Sequence, residues 1–290
     1  MRRRLLATLA IAVLGAAMGC GTTTEGSPSQ SSAPNGYPQK IVSLSPTATE
    51  MLFAIGAGPQ VVAVDEYSNY PAGVPKTNLS GFTPNAEAIA AKTPDLVVLT
   101  ADSKGIVAQL NNLKIKTQLA PAAKTIDDTY RQIKELGEVT GHAKEAETLN
   151  QKLKDELAGL VKELPKRDKP LTYFYELDPA LYTATSKTFI GSLFTTAGLV
   201  NVADAADPSN TGYPQMSAEA LVKANPDMVF LADSVMGETP DKVKGRAGWA
   251  GVTAVTKGQI VTLDSDIASR WGPRVVDLMR AIVTAVKKAQ

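Results

Sequence analysis

Apolar and polar positions follow two rhythms along this chain, and the longest helical one falls near the middle. Between 142 and 164, Ala146, Leu149, Leu153, Leu157, Leu160 and Leu164 recur at steps of three and four, with lysines and acids between them. That spacing predicts one apolar stripe on one long helix. At 1.5 Å per residue, about 22 residues make a rod of roughly 33 Å, the width of a small domain. Such a rod can brace two lobes.

The pattern repeats on either side of this rod. Residues 86–99 (AEAIAAKTPDLVVL) lie over residues 218–231 (AEALVKANPDMVFL) without a gap, identical at seven of fourteen positions, with Glu87 falling on Glu219. Each copy reads as a short helix, a Pro-Asp turn and a buried strand, and the offset is far too long for a solenoid period. Ordinary helix-to-strand units share such biases; identities held in one register favour two similar lobes joined by one helix.

In order, 40–44 reads as a compact strand and 45–50 as a turn into a helix, where Thr47 with Glu50 three residues later fits a capping box. Gly56 and Gly58 end that helix instead of opening one, so they are no dinucleotide fingerprint. Strands follow at 61–64, 96–99 and 115–119, separated by a loop at 65–71 and by helices at 86–92, 106–111 and 126–139. After 165–170 breaks the long helix, strands fall at 171–175, 201–202, 228–231 and 259–263, with helices at 189–197 and, closing the chain, 273–288. Strands alternating with helices predict an α/β fold: mostly parallel sheets covered on both faces, with ligands gathering beyond the carboxyl ends of the strands. The expected division is 1–19 leader, 20–36 tether, 37–141 N-terminal lobe, 142–164 connecting helix and 165–290 C-terminal lobe.

Composition changes this picture mainly at the N-terminus. Of 290 residues, 44% are hydrophobic and 20% charged, ordinary values for a globular protein with one to two domains. Arg2, Arg3 and Arg4 precede an apolar run at 5–14 that is too short to span a bilayer, and Ala17-Met18-Gly19 lead to Cys20, the chain's one cysteine. Small residues before a lone cysteine resemble a bacterial lipobox, with Ala17 where leucine is usual; cleavage before Cys20 and lipidation of its sulfur would follow. A lone exported cysteine has no internal disulfide to make, which favours the lipid reading over an ordinary secretory leader. Residues 21–36 are almost wholly Gly, Thr, Ser, Pro, Gln and Asn, a composition expected to form a flexible tether. Without the leader's three arginines the formal charge is −2, from 27 basic and 29 acidic residues, and nothing points to nucleic acid.

The candidate chemistry is that of binding. With one histidine, His142, and one cysteine, neither a catalytic triad nor a His/Cys metal cluster can be assembled, and no phosphate-cradling GxxxxGK[ST] occurs. His142, after Gly141, is expected to be a solvated histidine. Several strand ends instead carry aromatic or polar residues: Ser45, Thr47, Tyr67, Phe82 and Thr83 in the first half, Tyr175, Tyr213, Asp266, Arg270 and Trp271 in the second. A cleft lined by rings suits a large, partly apolar ligand, since each ring buries over about 150 Å² at low entropic cost. Glu87 and Glu219 lie in the first turns of the repeated helices, where the helix dipole favours a carboxylate. Equivalent glutamates on two lobes also offer two matching charges to arginines of a two-fold partner. Acid pairs capable of hydrolysis are not singled out by the sequence, so a lipid-anchored enzyme and an adhesion lipoprotein stand as the rival classes.

Residues 40–50 (KIVSLSPTATE), 65–71 (DEYSNYP), Glu87 with 94–97 (PDLV) and Glu219 with Pro226-Asp227 resemble the substrate-binding lipoproteins of vitamin B12 and iron-siderophore ABC importers, from about residue 39 to the C-terminus. The resemblance implies two Rossmann-like lobes joined by one rigid helix, a ligand cleft between them and limited hinge motion. It implies that Glu87 and Glu219 dock onto arginines of the two permease subunits, which work with ATPase subunits, and that the protein acts as a monomer without a resident cofactor. Tyr67, Tyr175, Tyr213 and Asp266 match positions that contact corrinoid in cobalamin binders, with Phe82 near an aromatic position there. In haem binders of this group a tyrosine ligand occupies the region of Phe82, and a phenyl ring cannot coordinate iron, so haem is disfavoured. The expected cargo is a cobalamin-like corrinoid, with a ferric siderophore as the alternative and Arg270 as a partner for its negative charge.

Overall fold

The computed structural model describes residues 36–289; the expected leader, Cys20 and all of the tether before Gly36 lie outside the described residues. The first half builds a five-stranded sheet from β1 (Ile41–Leu44), β2 (Val61–Asp65), β3 (Lys76–Leu79), β4 (Leu96–Leu99) and β5 (Lys116–Leu119). Its helices are α1 (Pro46–Ala54) after β1, α2 (Ala86–Ala90) before β4, α3 (Ile106–Asn112) before β5, and α4 (Ile126–Thr140). All pairings are parallel and the strand order is β3-β2-β1-β4-β5, a doubly wound sheet whose order reverses between β1 and β4. α5 (Ala143–Lys162) then leads into the second half.

That half comprises β6 (Thr172–Glu176), α6 (Phe189–Thr196), β7 (Val200–Asn201), α7 (Ala218–Ala224), β8 (Met228–Leu231), α8 (Pro240–Lys244), α9 (Thr253–Thr256), β9 (Ile260–Thr262), α10 (Ser265–Ser269) and α11 (Val275–Lys288). Its four strands are parallel in the order β7-β6-β8-β9.

The internal repeat is structural as well as textual. β1 pairs with β4 through Ile41 opposite Leu96, and β6 with β8 through Tyr173 opposite Met228. Tyr173 follows Ile41, and Met228 follows Leu96, at the same offset that separates Glu219 from Glu87. The aspartate of each Pro-Asp turn has the same task. Asp95 Oδ2 accepts from the amides of Gln39 and Lys40 at the entry to β1, and Asp227 Oδ2 accepts from the amide and hydroxyl of Thr172 at the entry to β6. A carboxylate that satisfies two donors at a strand's start fixes its register.

The core runs through both halves. Met51 and Leu52 of α1, Ile133 of α4, Leu153 of α5, Tyr173 and Phe194 of the second half and Ile282 of α11 belong to one buried cluster. Ala146, Leu153 and Leu160 are buried on α5, and Leu149, Leu157 and Leu164 pack against the same cluster, so the predicted stripe is the face α5 turns inward. Each such leucine, fully buried, adds about 1.5–3 kcal/mol.

Two local expectations are corrected, and two elements appear where the pattern predicts none. The cap of α1 is Ser45, whose Oγ accepts from Ala48 N, with Pro46 opening the helix; Glu50 does not reach back to Thr47, because its carboxylate is taken by two arginines. His142 is buried, with Nε2 3.0 Å from Gln60 Oε1, because α5 starts against the close approach of Gly137 to Ala146. Strand β3, Lys-Thr-Asn-Leu, carries too little apolar character to show as a strand in the pattern. Residues 265–269, to which the pattern assigns no element, are the short helix α10, capped by Asp264.

Candidate functional site

A cavity of about 690 Å³ opens between the halves. Its walls are Leu44, Ser45, Pro46 and Thr47 at the end of β1, Asp65 and Tyr67 after β2, Gly81 and Phe82 after β3, Thr100, Ala101 and Ser103 after β4, and Asp266, Ser269, Arg270 and Trp271 after β9. It therefore lies at the carboxyl ends of the strands and across the β1/β4 reversal, the place that the topology of such sheets assigns to ligands.

Local sequence fixes each wall. Pro46 starts α1 directly after β1, so the first turn of the helix opens into the cavity. A buried hydroxyl chain anchors the next loop: Thr49 Oγ1 lies 2.8 Å from Ser43 Oγ and 2.9 Å from Ser68 Oγ, and Ser68 N donates to Asp65 Oδ1. Burial raises the pKa of Asp65 above the usual carboxylate range, against the lowering effect of the Ser68 bonds. The loop so held presents Tyr67, 55% exposed, whose ring meets Phe82, 76% exposed, edge to face at 5.7 Å. Gly81 makes that approach possible, because a Cβ there would stand 2.5 Å from Leu44 O.

The opposite wall is fastened by charge. Glu50 of α1, its side chain 1% exposed, accepts from Arg270 Nη1 at 2.7 Å and from Arg274 Nε at 3.0 Å and Nη2 at 2.5 Å. Arg270 also donates to Asn69 Oδ1, Asp266 Oδ1 and Tyr67 O, and Asn69 Nδ2 donates to Asp266 Oδ2. The Arg274 guanidinium lies 4.3 Å from the centre of the Tyr70 ring, and the Glu50 bonds hold its pKa above the usual range. Trp271 Nε1 donates to Gln132 Oε1 of α4, and Thr129 Oγ1 donates to Trp271 O. The residues that follow β9 are thus bolted to the first half.

The expected site residues divide accordingly. Ser45, Thr47, Tyr67, Phe82, Asp266, Arg270 and Trp271 share the cavity wall. Thr83 lies beside it, exposed, with its amide bonded to Ser80 Oγ. Tyr213 is 55% exposed on the loop that follows β7 and is not on the cavity wall. Tyr175 is corrected: it is 1% exposed, packs edge to face on Phe194 and donates its hydroxyl to Ala268 O, because it belongs to the buried central strand of its sheet. Burial pushes its pKa up. Arg270 is corrected as a partner for an anion, since both of its terminal nitrogens are already spent within the protein. Glu87 and Glu219 are exposed in the first turns of α2 and α7, capped by Asn85 and Ser217, and neither forms an ion pair among the described residues.

A sequence model described as periplasmic binding protein matches residues 41–267. The chain belongs to the periplasmic binding protein family. It is 30% identical over 258 residues to an uncharacterized ABC transporter substrate-binding lipoprotein of Bacillus subtilis, covering 86% of this chain and 80% of that protein. It is 29% identical over 262 residues to the vitamin B12-binding protein of Vibrio cholerae, covering 87% of this chain and 90% of that protein. A solved structure from Staphylococcus epidermidis, named as a possible iron-binding (periplasmic solute-binding) protein, superposes with a TM-score of 0.74 at 27% identity, covering 87% of this chain and 99% of that one.

In this periplasmic binding protein three groups escape sequence reasoning. Glu50 has the spacing of a capping residue, yet it is the acid that joins the halves. Val235 and Met236, 79% and 60% exposed, are an exposed apolar pair just after β8. The repeat is the signal that could have found them, since Val235 bears to the wall residue Ser103 the same offset that Glu219 bears to Glu87. Asp233, also after β8, is 1% exposed and neither carboxylate oxygen has a partner among the described residues. Burial first, and the charge of Glu176 second, push its pKa up to about 7.

Proposed function

We propose that this protein is the extracytoplasmic solute-binding component of an ABC importer and that its cleft takes a cobalamin-like corrinoid. The exposed Tyr67–Phe82 ring pair beside a 690 Å³ cavity at the strand ends carries the reading, because such rings cover the apolar faces of a large, flat, partly polar ligand. The likeness to the vitamin B12-binding protein of Vibrio cholerae supports the same ligand class. The ligand is cargo, bound and released unchanged, with no resident cofactor and no turnover. Two exposed glutamates, Glu87 and Glu219, at equivalent helix starts suit arginines on the two subunits of a permease served by ATPase subunits. In this reading the protein works as a monomer, tethered to the membrane through lipidated Cys20. The likeness to the Staphylococcus epidermidis protein favours a ferric siderophore as the second reading.

The test mixes the purified full-length chain with cyanocobalamin and, separately, with a panel of ferric siderophores, then desalts each sample. One unaltered cobalamin per chain is the expected result. A siderophore retained in its place moves the assignment to iron import, turnover of any bound compound brings back the enzyme reading, and retention of nothing removes both ligand readings.

A further inference from the structure

The cavity wall carries three ionisable side chains of charged type, Asp65, Asp266 and Arg270. The single cation among them is not available to a ligand. Arg270 is 8% exposed, and its two terminal nitrogens donate to Glu50, Asn69, Asp266 and Tyr67 O. Arg274, behind it, spends its guanidinium on the same Glu50 and on the ring of Tyr70. Two arginines thus meet Glu50 and Asp266, an even balance, and Asp65 adds one further acid. The first turn of α1 supplies only about half a positive charge at its N-terminus. Lys104, next to the wall residue Ser103, is exposed and is not among the residues that line the cavity.

We infer that Glu50 is a specificity-determining residue: by neutralising Arg270 and Arg274 it leaves the cavity wall without a free cation among the described residues, so the site admits large uncharged ligands and rejects polyanions. The inference rests on the reading of this cavity as the ligand site. A multiply charged anion entering here would give up its water without gaining a counter-charge, and would face Asp65 and Asp266. An uncharged ligand bears no such penalty. Glu50 sits at the centre of this balance because, among the described residues, it alone accepts from both arginines, in a position walled off from solvent.

The test compares three probes on the full-length chain by quenching of tryptophan fluorescence: cyanocobalamin, an uncharged iron(III) trihydroxamate, and an iron(III) tricatecholate carrying three negative charges. The wild-type protein is expected to bind the tricatecholate at least about 100-fold more weakly than the better of the two uncharged probes. Glu50→Gln frees the arginines and should narrow that gap by about tenfold or more, with the gained anion binding falling as salt is raised. Asp266→Asn, a change at the exposed end of the same network, should narrow it in the same direction and keeps the test open if Glu50→Gln does not fold. A role confined to holding the wall in place would weaken all three probes alike and leave their ratio unmoved, which would overturn the inference. Tight binding of the tricatecholate by the wild type would overturn it too while leaving the importer reading intact, whereas binding of no probe would remove both.

Discussion

Asp233→Asn should flatten the pH dependence of stability. In the native protein this carboxyl is walled off from water, and its neighbour Glu176, at the end of β6, is fully buried and gripped by both terminal nitrogens of Arg246. The positive charge nearby is therefore spent on Glu176 and Glu238, and ionising Asp233 adds an unbalanced charge; its pKa is pushed up to about 7 from 3.8. In the unfolded chain the group has its ordinary value. Between those two values the native state holds a proton that the unfolded state releases, so stability declines as pH rises and the decline ends above the folded value. Integrating the difference from pH 5 to pH 8 gives a loss of about 2.5 kcal/mol attributable to this group. The amide cannot titrate, so the variant should escape that loss. With a urea dependence of about 3 kcal/mol per molar for a chain of this size, the wild-type midpoint should fall by about 0.8 M relative to the variant over this range. Urea melts at pH 5, 6, 7 and 8 measure it. Parallel curves for the two proteins would refute the reasoning, since they would mean that Asp233 ionises in the fold as easily as in water.

Three further outcomes follow from the same geometry. Glu87→Lys combined with Glu219→Lys should abolish ligand uptake by cells while leaving ligand binding by the purified protein unchanged, since both side chains are exposed and lie off the cavity wall; normal uptake would rule out the docking role. Gly191→Ala should cost about 3 kcal/mol or more and lower the melting temperature by roughly 6–12 °C, because a Cβ there would stand 1.9 Å from Thr185 O, a backbone atom that cannot turn aside. Tyr67→Ala and Phe82→Ala should each weaken ligand binding by about 10- to 100-fold, read by titration, with circular dichroism unaltered since both rings are largely exposed.

Much of the framework is legible in the sequence because it is local. The stripe of α5 and the helix-to-strand units around 86–99 and 218–231 follow from periodicity, and the shared offset carries over into strand register and into the matched roles of Asp95 and Asp227. What escapes depends on partners remote in sequence. Glu50, near the start of the described chain, meets Arg270 and Arg274, near its end, so its spacing from Thr47 points to the wrong partner. His142 is buried against Gln60, a residue of the turn before β2, and no local pattern records that contact. Tyr175 has the composition of a ligand contact and the position of a core residue; strand alternation alone does not say which face of a doubly covered sheet ends at the cleft.

The same remote contacts bear on how a receptor of this build can work. α5 passes from one half to the other, α11 packs along it, and the residues that follow β9 are held to the first half by Glu50, Gln132 and Thr129. A wide opening of the cleft would separate Glu50 from its arginines and break the bonds that tie Trp271 to Gln132 and Thr129. Turning a few side chains at the rim is far less demanding. Tyr67 and Phe82 are exposed and uncharged, so they can turn without disturbing the buried network. Under the proposed function, recognition then falls to the exposed rings and selection by charge to the wall, while Glu87 and Glu219, each in the first turn of a repeated helix, stand on the scaffold beneath.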